Sequence, residues 1–223
     1  MTMLAESALP PLSPWLRTLF FVGVVRPVMM VVLGLNVRNR QGLPCDGPAI
    51  IVANHNSHLD TLALMALFPV KLLPKLRPVA AADYFLRTGW LAWFALRIIG
   101  IVPLMREVRG KADPLELAER ALDEGAILIL FPEGSRGEPE KLSAFKSGIH
   151  HLARRRPEVP VIPVLLHGFG KALPRGEAIL VPFFCDVFVR VPVAYSDDKR
   201  GYMAALEAAF RRSDDDGPEV PFE

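Results

Sequence analysis

Residues 49–60 read AIIVANHNSHLD, five apolar residues rich in β-branched side chains followed by an abrupt polar run. Gly47 and Pro48 bound the apolar part on one side and Asn54 on the other. An unbroken apolar run of this length, without polar alternation, is the pattern of a strand covered on both faces, as in a parallel sheet layered by helices. Residues 126–137, AILILFPEGSRG, repeat the pattern. Both expected strands thus carry a polar cluster at their carboxyl ends, where open α/β sheets place their ligand crevice.

The rest of the chain agrees with strands interleaved with helices. Residues 61–67 read as a helix that Pro69 ends. Asp113-Pro114-Leu115-Glu116 has the form of a helix start, with Asp113 as cap, Pro in the first turn and Glu three residues after the cap. Leu115, Ala118 and Leu122 share one face of that helix, and Gly125 ends it. Phe145, Ile149 and Leu152 recur at helical spacing ahead of Arg154, Arg155 and Arg156, whose charges suit a helix carboxyl end. Residues 161–166 read as a strand that Pro160 and Pro163 push toward an edge or irregular position. Cys185, Val187, Val189 and Val191 alternate with Asp186, Phe188 and Arg190, which predicts a half-exposed strand. A last helix is expected over 202–211. The acidic, Pro-containing stretch 213–223 reads as a flexible tail.

These elements predict an α/β fold: a single domain over 45–212 with a partly parallel sheet flanked by helices. Ahead of it, residues 1–44 contain WLRTLFFVGVVRPVMMVVLGL from Trp15 to Leu35, two apolar stretches interrupted by Arg26 and Pro27. Pro27 is expected to kink or split a helix there. The segment reads as a membrane-anchoring pair of short helices embedded in one leaflet, with a core helix or a single spanning helix as alternatives.

Composition narrows the function. Hydrophobic residues make up 51% of the 223 and charged residues 22%, which excludes a disordered or collagen-like chain. The longest stretch without Asp, Glu, Lys or Arg is 13 residues, Gly47 to Leu59, short of the roughly 20 a spanning helix wants, so a polytopic membrane protein is excluded. Cys45 and Cys185, far apart, form neither a disulfide framework nor a paired metal motif. The net charge of +2 hides a polarised chain. Residues 1–111 hold 12 basic and 5 acidic side chains, a net of +7, and residues 112–223 hold 14 and 19, a net of −5. Between Lys71 and Lys111, eight basic and two acidic residues are interleaved with Phe85, Trp90, Trp93 and Phe94. Nothing matches a nucleic-acid recognition helix or an RNA-binding motif, and an anionic leaflet suits such a surface better.

The chemistry concentrates in the two clusters. In NHNSHLD the candidates are His55, His58 and Asp60. Five residues apart in a regular helix, His55 and Asp60 lie about 140° apart around the axis. They meet if His55 precedes the first turn, with Asn56 or Ser57 as cap, and Asp60 lies one turn in. A histidine steered through one ring nitrogen by a carboxylate presents the other as a general base. The same residues, His55, His58 and Asp60, superficially resemble a metallohydrolase cluster, which leaves a metal-dependent hydrolase open as an alternative. In FPEGSRG, Gly134 permits close backbone approach and Arg136 offers a planar fork for phosphate. Ser135 lacks the glycine two residues before it that a nucleophile elbow needs, Glu133 standing there instead. No Gly-x-Gly-x-x-Gly or Walker A pattern is present.

The two clusters also carry a family resemblance. NHNSHLD resembles the His-x-x-x-x-Asp block of the glycerolipid acyltransferases, in particular the 1-acyl-glycerol-3-phosphate (lysophosphatidate) acyltransferase group, and FPEGSRG resembles their Glu-Gly-Thr/Ser-Arg block. GIVPLMR, Gly100 to Arg106, is similar to their Gly-x-Ile-x-x-x-Arg block, with Pro103 where an aromatic residue is frequent. VPVIPV, Val159 to Val164, resembles their fourth, proline-containing block, and Phe145-Lys146-Ser147-Gly148 their Phe-Lys-x-Gly stretch. All occur in family order over about residues 48–166.

The resemblance implies acyl transfer from a thioester, acyl-CoA or acyl carrier protein, to the free hydroxyl of a lysophospholipid, with lysophosphatidate giving phosphatidate as the family default. It implies His55 as the base and Asp60 as its orienting partner, with no covalent acyl-enzyme, no metal and no cofactor beyond the donor substrate. It places Glu133, Gly134, Ser135 and Arg136 at the acceptor, with Arg106 and Arg136 as phosphate ligands and Lys146 as a further phosphate or donor contact. With the apolar segment, it implies a bacterial-type enzyme on the cytoplasmic face of the inner membrane, peripheral or monotopic, whose partners are membrane lipids, the lysophospholipid and the acyl carrier. A catalytically silent lipid-binding membrane protein is the alternative from outside enzymology.

Overall fold

The computed structural model describes residues 9, 12–82, 88–104, 113–137, 141–173 and 181–211. Seven strands, β1 (Asn36–Arg38), β2 (Ala49–Ala53), β3 (Leu76–Ala81), β4 (Val102–Leu104), β5 (Ile127–Leu130), β6 (Val161–His167) and β7 (Asp186–Val189), form one sheet in the order β1-β7-β6-β2-β5-β3-β4. Every pairing is parallel except β6 with β7. The α/β domain with a partly parallel sheet expected from the sequence is therefore present, and its sheet is mostly parallel. β2, all five residues buried, lies between β5 and β6 near the middle.

Alternation along β2 assigns its two faces. Ala49, Ile51 and Ala53 enter one core with the helices α1 (Pro14–Val32) and α2 (Leu59–Ala66). Ile50 and Val52 enter a second core with α4 (Glu116–Asp123), α5 (Gly148–Arg155) and α7 (Lys199–Ala208). Between these helices in sequence lie α3 (Gly89–Ile99) and the short α6 (Phe169–Ala172). Both faces of β2 are covered, so both take apolar residues, as the unbroken apolar run predicts.

Four local expectations change. The strand containing Pro163 is not at an edge, since β6 has β2 on one side and β7 on the other. The Pro163 carbonyl accepts from the Arg190 N–H at 2.9 Å, so the missing proline N–H falls on the same side, facing Arg190 just past the end of β7. One ladder bond is forgone just past the end of β7, while the Val193 N–H still donates to the Val161 carbonyl at 2.8 Å. The predicted half-exposed strand is shorter and more buried: Val187, Phe188 and Val189 are all buried, and Val191, 83% exposed, lies beyond it. The helix heralded by Asp113 starts at Glu116, with the Asp113 carboxylate accepting from Leu115 N–H at 3.0 Å one turn ahead. Its end is as expected, because Gly125, at φ +75°, lets the N–H groups of Gly125 and Ala126 return to the carbonyls of Leu122 and Ala121.

The N-terminal segment shows the fourth change. Helix α1 runs through Arg26 and Pro27 from Pro14 to Val32, 19 residues with an 18-residue stretch at a mean hydropathy of 1.6, instead of splitting into two. Stretches Phe21–Val25 and Val28–Val32 have wide, π-type turns on either side of Pro27. Arg17, Phe21, Val25, Met29 and Leu33, spaced by four, are all buried. In a regular α-helix a four-residue repeat drifts by about 40° per step. The wide turns hold more residues each and keep the stripe facing the domain along the whole helix. Arg17 Nη2 donates to the carbonyls of Leu76 (2.7 Å) and Ile99 (3.0 Å), tying α1 to β3 and α3. Burial, with Arg77 nearby, pushes the Arg17 guanidinium down to about 9.

Arg26, which interrupts the apolar run in sequence, donates to the Phe68 carbonyl, and Arg40 donates to the Leu67 carbonyl. Both sit at the carboxyl end of α2, where cations satisfy otherwise orphaned carbonyls. Helix α2, which follows NHNSHLD, is thereby fixed from behind.

The approach of β2 to the α4–β5 turn is tight enough to test. A methyl group at Gly47 would stand 2.1 Å from the Gly125 carbonyl oxygen, a backbone atom that cannot yield alone. Gly47→Ala is expected to cost about 3 kcal/mol, the upper range of overpacking. Chemical denaturation should read this as a lowered midpoint at unchanged m-value; a wild-type midpoint would contradict the close approach.

Candidate active site

β2 and β5 are parallel neighbours, with Val52 opposite Leu130, so the residues after each strand emerge side by side. The His55 ring stacks on Phe131, centroids 4.1 Å apart and planes 21° apart. His55 Nδ1 lies 2.9 Å from Asp60 Oδ2. The contact arises as the sequence requires, with His55 ahead of α2 and Asp60 in its first turn. Asp60 Oδ2 also accepts the backbone N–H groups of Asn56 and Ser57, each at 2.7 Å, so one carboxylate oxygen orders the loop and the ring together.

Asp60 is fully buried. Burial pushes its carboxyl above the usual carboxylate range, opposed by the His55 ring and the Ser57 and Asn56 N–H groups. The three donors converge on the ionised form, and with Nδ1–H given to Asp60 the lone pair of His55 resides on Nε2. The His55 side chain is 20% exposed, enough for a substrate atom to reach it.

The second cluster supports the first. The carboxylate of Glu133 is buried, one oxygen accepting the His55 N–H at 2.7 Å and the other the Ser143 N–H at 3.0 Å. Gly137 N–H donates to the His55 carbonyl at 2.9 Å. Both backbone polar groups of His55 are therefore held by the loop after β5. The resemblance put Glu133 at the acceptor; in the structure one of its oxygens holds the backbone of His55 and the other that of Ser143.

Gly134, at φ +73°, lies under the Lys146 side chain: a Cβ there would come within 2.5 Å of Nζ. The Lys146 N–H donates to the Pro132 carbonyl at 2.8 Å, which brings this lysine to the loop. Ser135 is exposed at the bend. Arg136 Nη1 contacts His58 Nε2. Of the sequence candidates, His55, His58, Asp60, Glu133, Gly134, Ser135, Arg136 and Lys146 thus converge on one end of β2 and β5. Arg106 lies outside the described residues, as does the tail at 213–223. His150 sits elsewhere, on α5 against Tyr195 and Tyr202. Among the described residues, no group of three His, Cys, Asp or Glu side chains is arranged to hold a metal ion.

Three contributors escape a reading by motif. The Asn54 side chain exchanges two hydrogen bonds with the Leu166 backbone, donating to its carbonyl (2.8 Å) and accepting from its N–H (2.7 Å). It replaces a ladder pair between β2 and β6 at the point where the chain turns toward His55. Ser57 Oγ donates to the Leu173 carbonyl (3.1 Å), and Phe131 supplies the stacking surface. A short amide at a strand end, immediately before the candidate base, was the available signal for Asn54.

Known proteins resemble this chain in sequence and in fold. The chain matches the family model described as Acyltransferase over residues 34–167. It is 32% identical over 164 residues to the chloroplastic 1-acyl-sn-glycerol-3-phosphate acyltransferase LPAT1 of Arabidopsis thaliana, covering 71% of this chain and 43% of that protein. It is 28% identical over 181 residues to the 1-acyl-sn-glycerol-3-phosphate acyltransferase alpha of Bos taurus, covering 80% of this chain and 61% of that protein. The chain thus spans about half the length of the curated relatives it matches. The fold is that of the crystal structure of the 1-acyl-sn-glycerophosphate acyltransferase PlsC from Thermotoga maritima, with a TM-score of 0.68 at 23% identity over 88% of this chain and 76% of that one. The matched span runs from the end of α1 through β6 and so contains every described side chain that meets at the carboxyl ends of β2 and β5; by that match the chain belongs to the acyltransferase family.

Proposed function

We propose that this protein transfers an acyl group from a thioester donor, acyl-CoA or acyl carrier protein, to the free hydroxyl of a lysophospholipid, with lysophosphatidate the first acceptor to test. The observation that carries the reading is the His55 Nδ1–Asp60 Oδ2 contact at the carboxyl end of β2, beside the loop bearing Arg136. In this mechanism Nε2 of His55 takes the hydroxyl proton as the oxygen attacks the thioester carbonyl. The tetrahedral intermediate then expels the thiolate, which recovers the proton from the imidazolium. One C–O bond forms, one C–S bond breaks, and histidine returns to its starting state. Asp60 offsets the transient positive charge on the ring.

The acceptor's insolubility gives α1 and α3 a role. Trp15 (69% exposed), Leu19, Val22 and Met30 of α1 and Trp90 (72% exposed) and Trp93 of α3 face outward. The two helices are joined edge to face through Phe20 and Phe94, centroids 5.2 Å apart. A helix docked by one stripe and apolar on the other fits a leaflet surface better than a full crossing. The proposed location is therefore a membrane face, peripheral or monotopic, and specifically the cytoplasmic face of a bacterial inner membrane. Burying a large apolar side chain is worth about 1.5–3 kcal/mol. Trp15→Ala with Trp90→Ala should lower partition into anionic vesicles by at least about tenfold per residue, read by co-sedimentation; unchanged partition would remove these helices from the interface.

The activity itself is tested by offering lysophosphatidate and other lysophospholipids in vesicles with either donor, and reading products by lipid mass spectrometry. Phosphatidate formation is expected. Failure to acylate any lysophospholipid would leave the silent lipid-binding alternative standing.

A further inference from the structure

His58 is exposed in an otherwise buried run, with Asn56, Ser57, Leu59 and Asp60 all inside. It stands at the head of α2, and its Nε2 meets Arg136 Nη1 from the loop after β5. A guanidinium has no acceptor. The contact therefore requires a neutral imidazole with its lone pair on Nε2. Two groups that can both carry positive charge face each other at the mouth of the site. This pairing gains little as a surface contact and disappears if His58 is protonated. It is, however, what two ligands of one anion look like before the anion arrives.

Among the described residues, the nearby ionisable groups that are not turned inward carry the same sign. His55 is close enough to disfavour a charge on His58, and the Lys146 amine lies over Gly134, two residues before Arg136. The carboxylates of this corner are directed inward: Asp60 to His55, Asn56 and Ser57, and Glu133 to the His55 and Ser143 backbones. The residue is exposed but its ring is partly desolvated, and this, with Arg136 and His55, holds the His58 imidazole below its ordinary value, in keeping with the neutral form.

We propose that His58 is a further acceptor-binding residue, which holds the Arg136 guanidinium in place in the free protein and becomes a second cationic donor to the phosphate monoester of the acceptor. When the phosphate takes Arg136 Nη1–H, Nε2 of His58 loses its donor, gains a proton from solvent and gives Nε2–H to a phosphate oxygen. The headgroup thus gains a planar guanidinium and an imidazolium on adjoining oxygens. The inference rests on the lysophospholipid reading given above and sharpens it toward acceptors with a terminal phosphate over those whose phosphate is a diester. A diester carries one negative charge and a bulky substituent, and leaves His58 less reason to charge.

Two measurements test it, one independent of turnover. In the first, the His58 imidazole Cε1–H resonance of the whole protein is titrated by NMR with and without glycerol 3-phosphate as headgroup probe, His58→Gln supplying the assignment. The midpoint should rise by about one pH unit when the probe is present, equivalent to tenfold tighter binding to the protonated form. An unmoved midpoint overturns the proposal, whatever the protein's activity. In the second, the apparent KM for lysophosphatidate is followed from pH 5.5 to 8. Wild type should show KM rising with pH. His58→Gln should raise KM about fivefold at the acid end with kcat within about twofold, and flatten the profile. His58→Lys should keep a low KM at every pH. Identical KM profiles for wild type and His58→Gln overturn the inference while leaving acyl transfer intact. Absence of acyl transfer by wild type instead counts against the underlying function, and the NMR titration then decides the anion site alone.

Discussion

His55→Ala is expected to fold and to lose about 10²–10⁴ in kcat, the contribution of a positioned general base. The loss should be in turnover, because the groups around the expected acceptor site, Arg136, His58 and Lys146, are held by contacts that do not pass through the His55 ring. Stability should fall modestly. The side chain is 20% exposed, so its removal forfeits the stack on Phe131 and one hydrogen bond to Asp60, together about 1–2 kcal/mol. Asp60 keeps two backbone donors at 2.7 Å and is not stranded. Circular dichroism unchanged from wild type, with turnover reduced to near background, is the expected pair of results.

Asp60→Asn is the second large effect, and it arises differently. The amide is nearly isosteric, but it has one oxygen where the carboxylate had two, and Oδ2 alone serves His55 Nδ1, Asn56 N–H and Ser57 N–H. If the amide oxygen takes that place, the –NH₂ group occupies the position of Oδ1, buried and without a hydrogen-bond partner among the described residues. That costs about 1–3 kcal/mol, and the imidazolium loses its counter-charge. If the amide turns round, its N–H faces Nδ1 and forces the proton onto Nε2, which removes the base. Either orientation is expected to cut kcat by about 10²–10⁴. A melting temperature lower by several degrees should accompany the loss, at about 2–4 °C per kcal/mol for a chain of this size. Turnover within about threefold of wild type would mean that Asp60 neither orients nor charges the ring.

Much of this was legible in the sequence, for physical reasons that differ by element. β2 and β5 were readable because strands covered on both faces have no room for polar residues, and the polar runs after them had to be loops. The His55–Asp60 meeting followed from helix geometry once α2 was seen to start between them. Pro163 misled because its cost depends on whether a partner is present opposite its nitrogen, and the early end of β7 is a tertiary fact. Pro27 misled for a similar reason. A proline opens an isolated helix, but α1 has a buried stripe at four-residue spacing that favours wide turns and absorbs the missing donor. Arg26 looked like an obstacle to an apolar helix and is a cap for α2, 42 residues away in sequence. For Glu133, the motif records that a carboxylate recurs and not which way it faces. Its two oxygens are directed to the His55 and Ser143 backbones, a consequence of the tertiary fold.

The most direct measurement of the account is acceptor-dependent release of free thiol from the acyl donor by purified protein on vesicles. With lysophosphatidate present, wild type should release thiol in step with phosphatidate formed, and without it release should fall to background, because the attacking oxygen belongs to the acceptor. His55→Ala should release none above background in either condition. Thiol release that proceeds equally without acceptor, or that persists in His55→Ala, would contradict direct transfer by a His55 base.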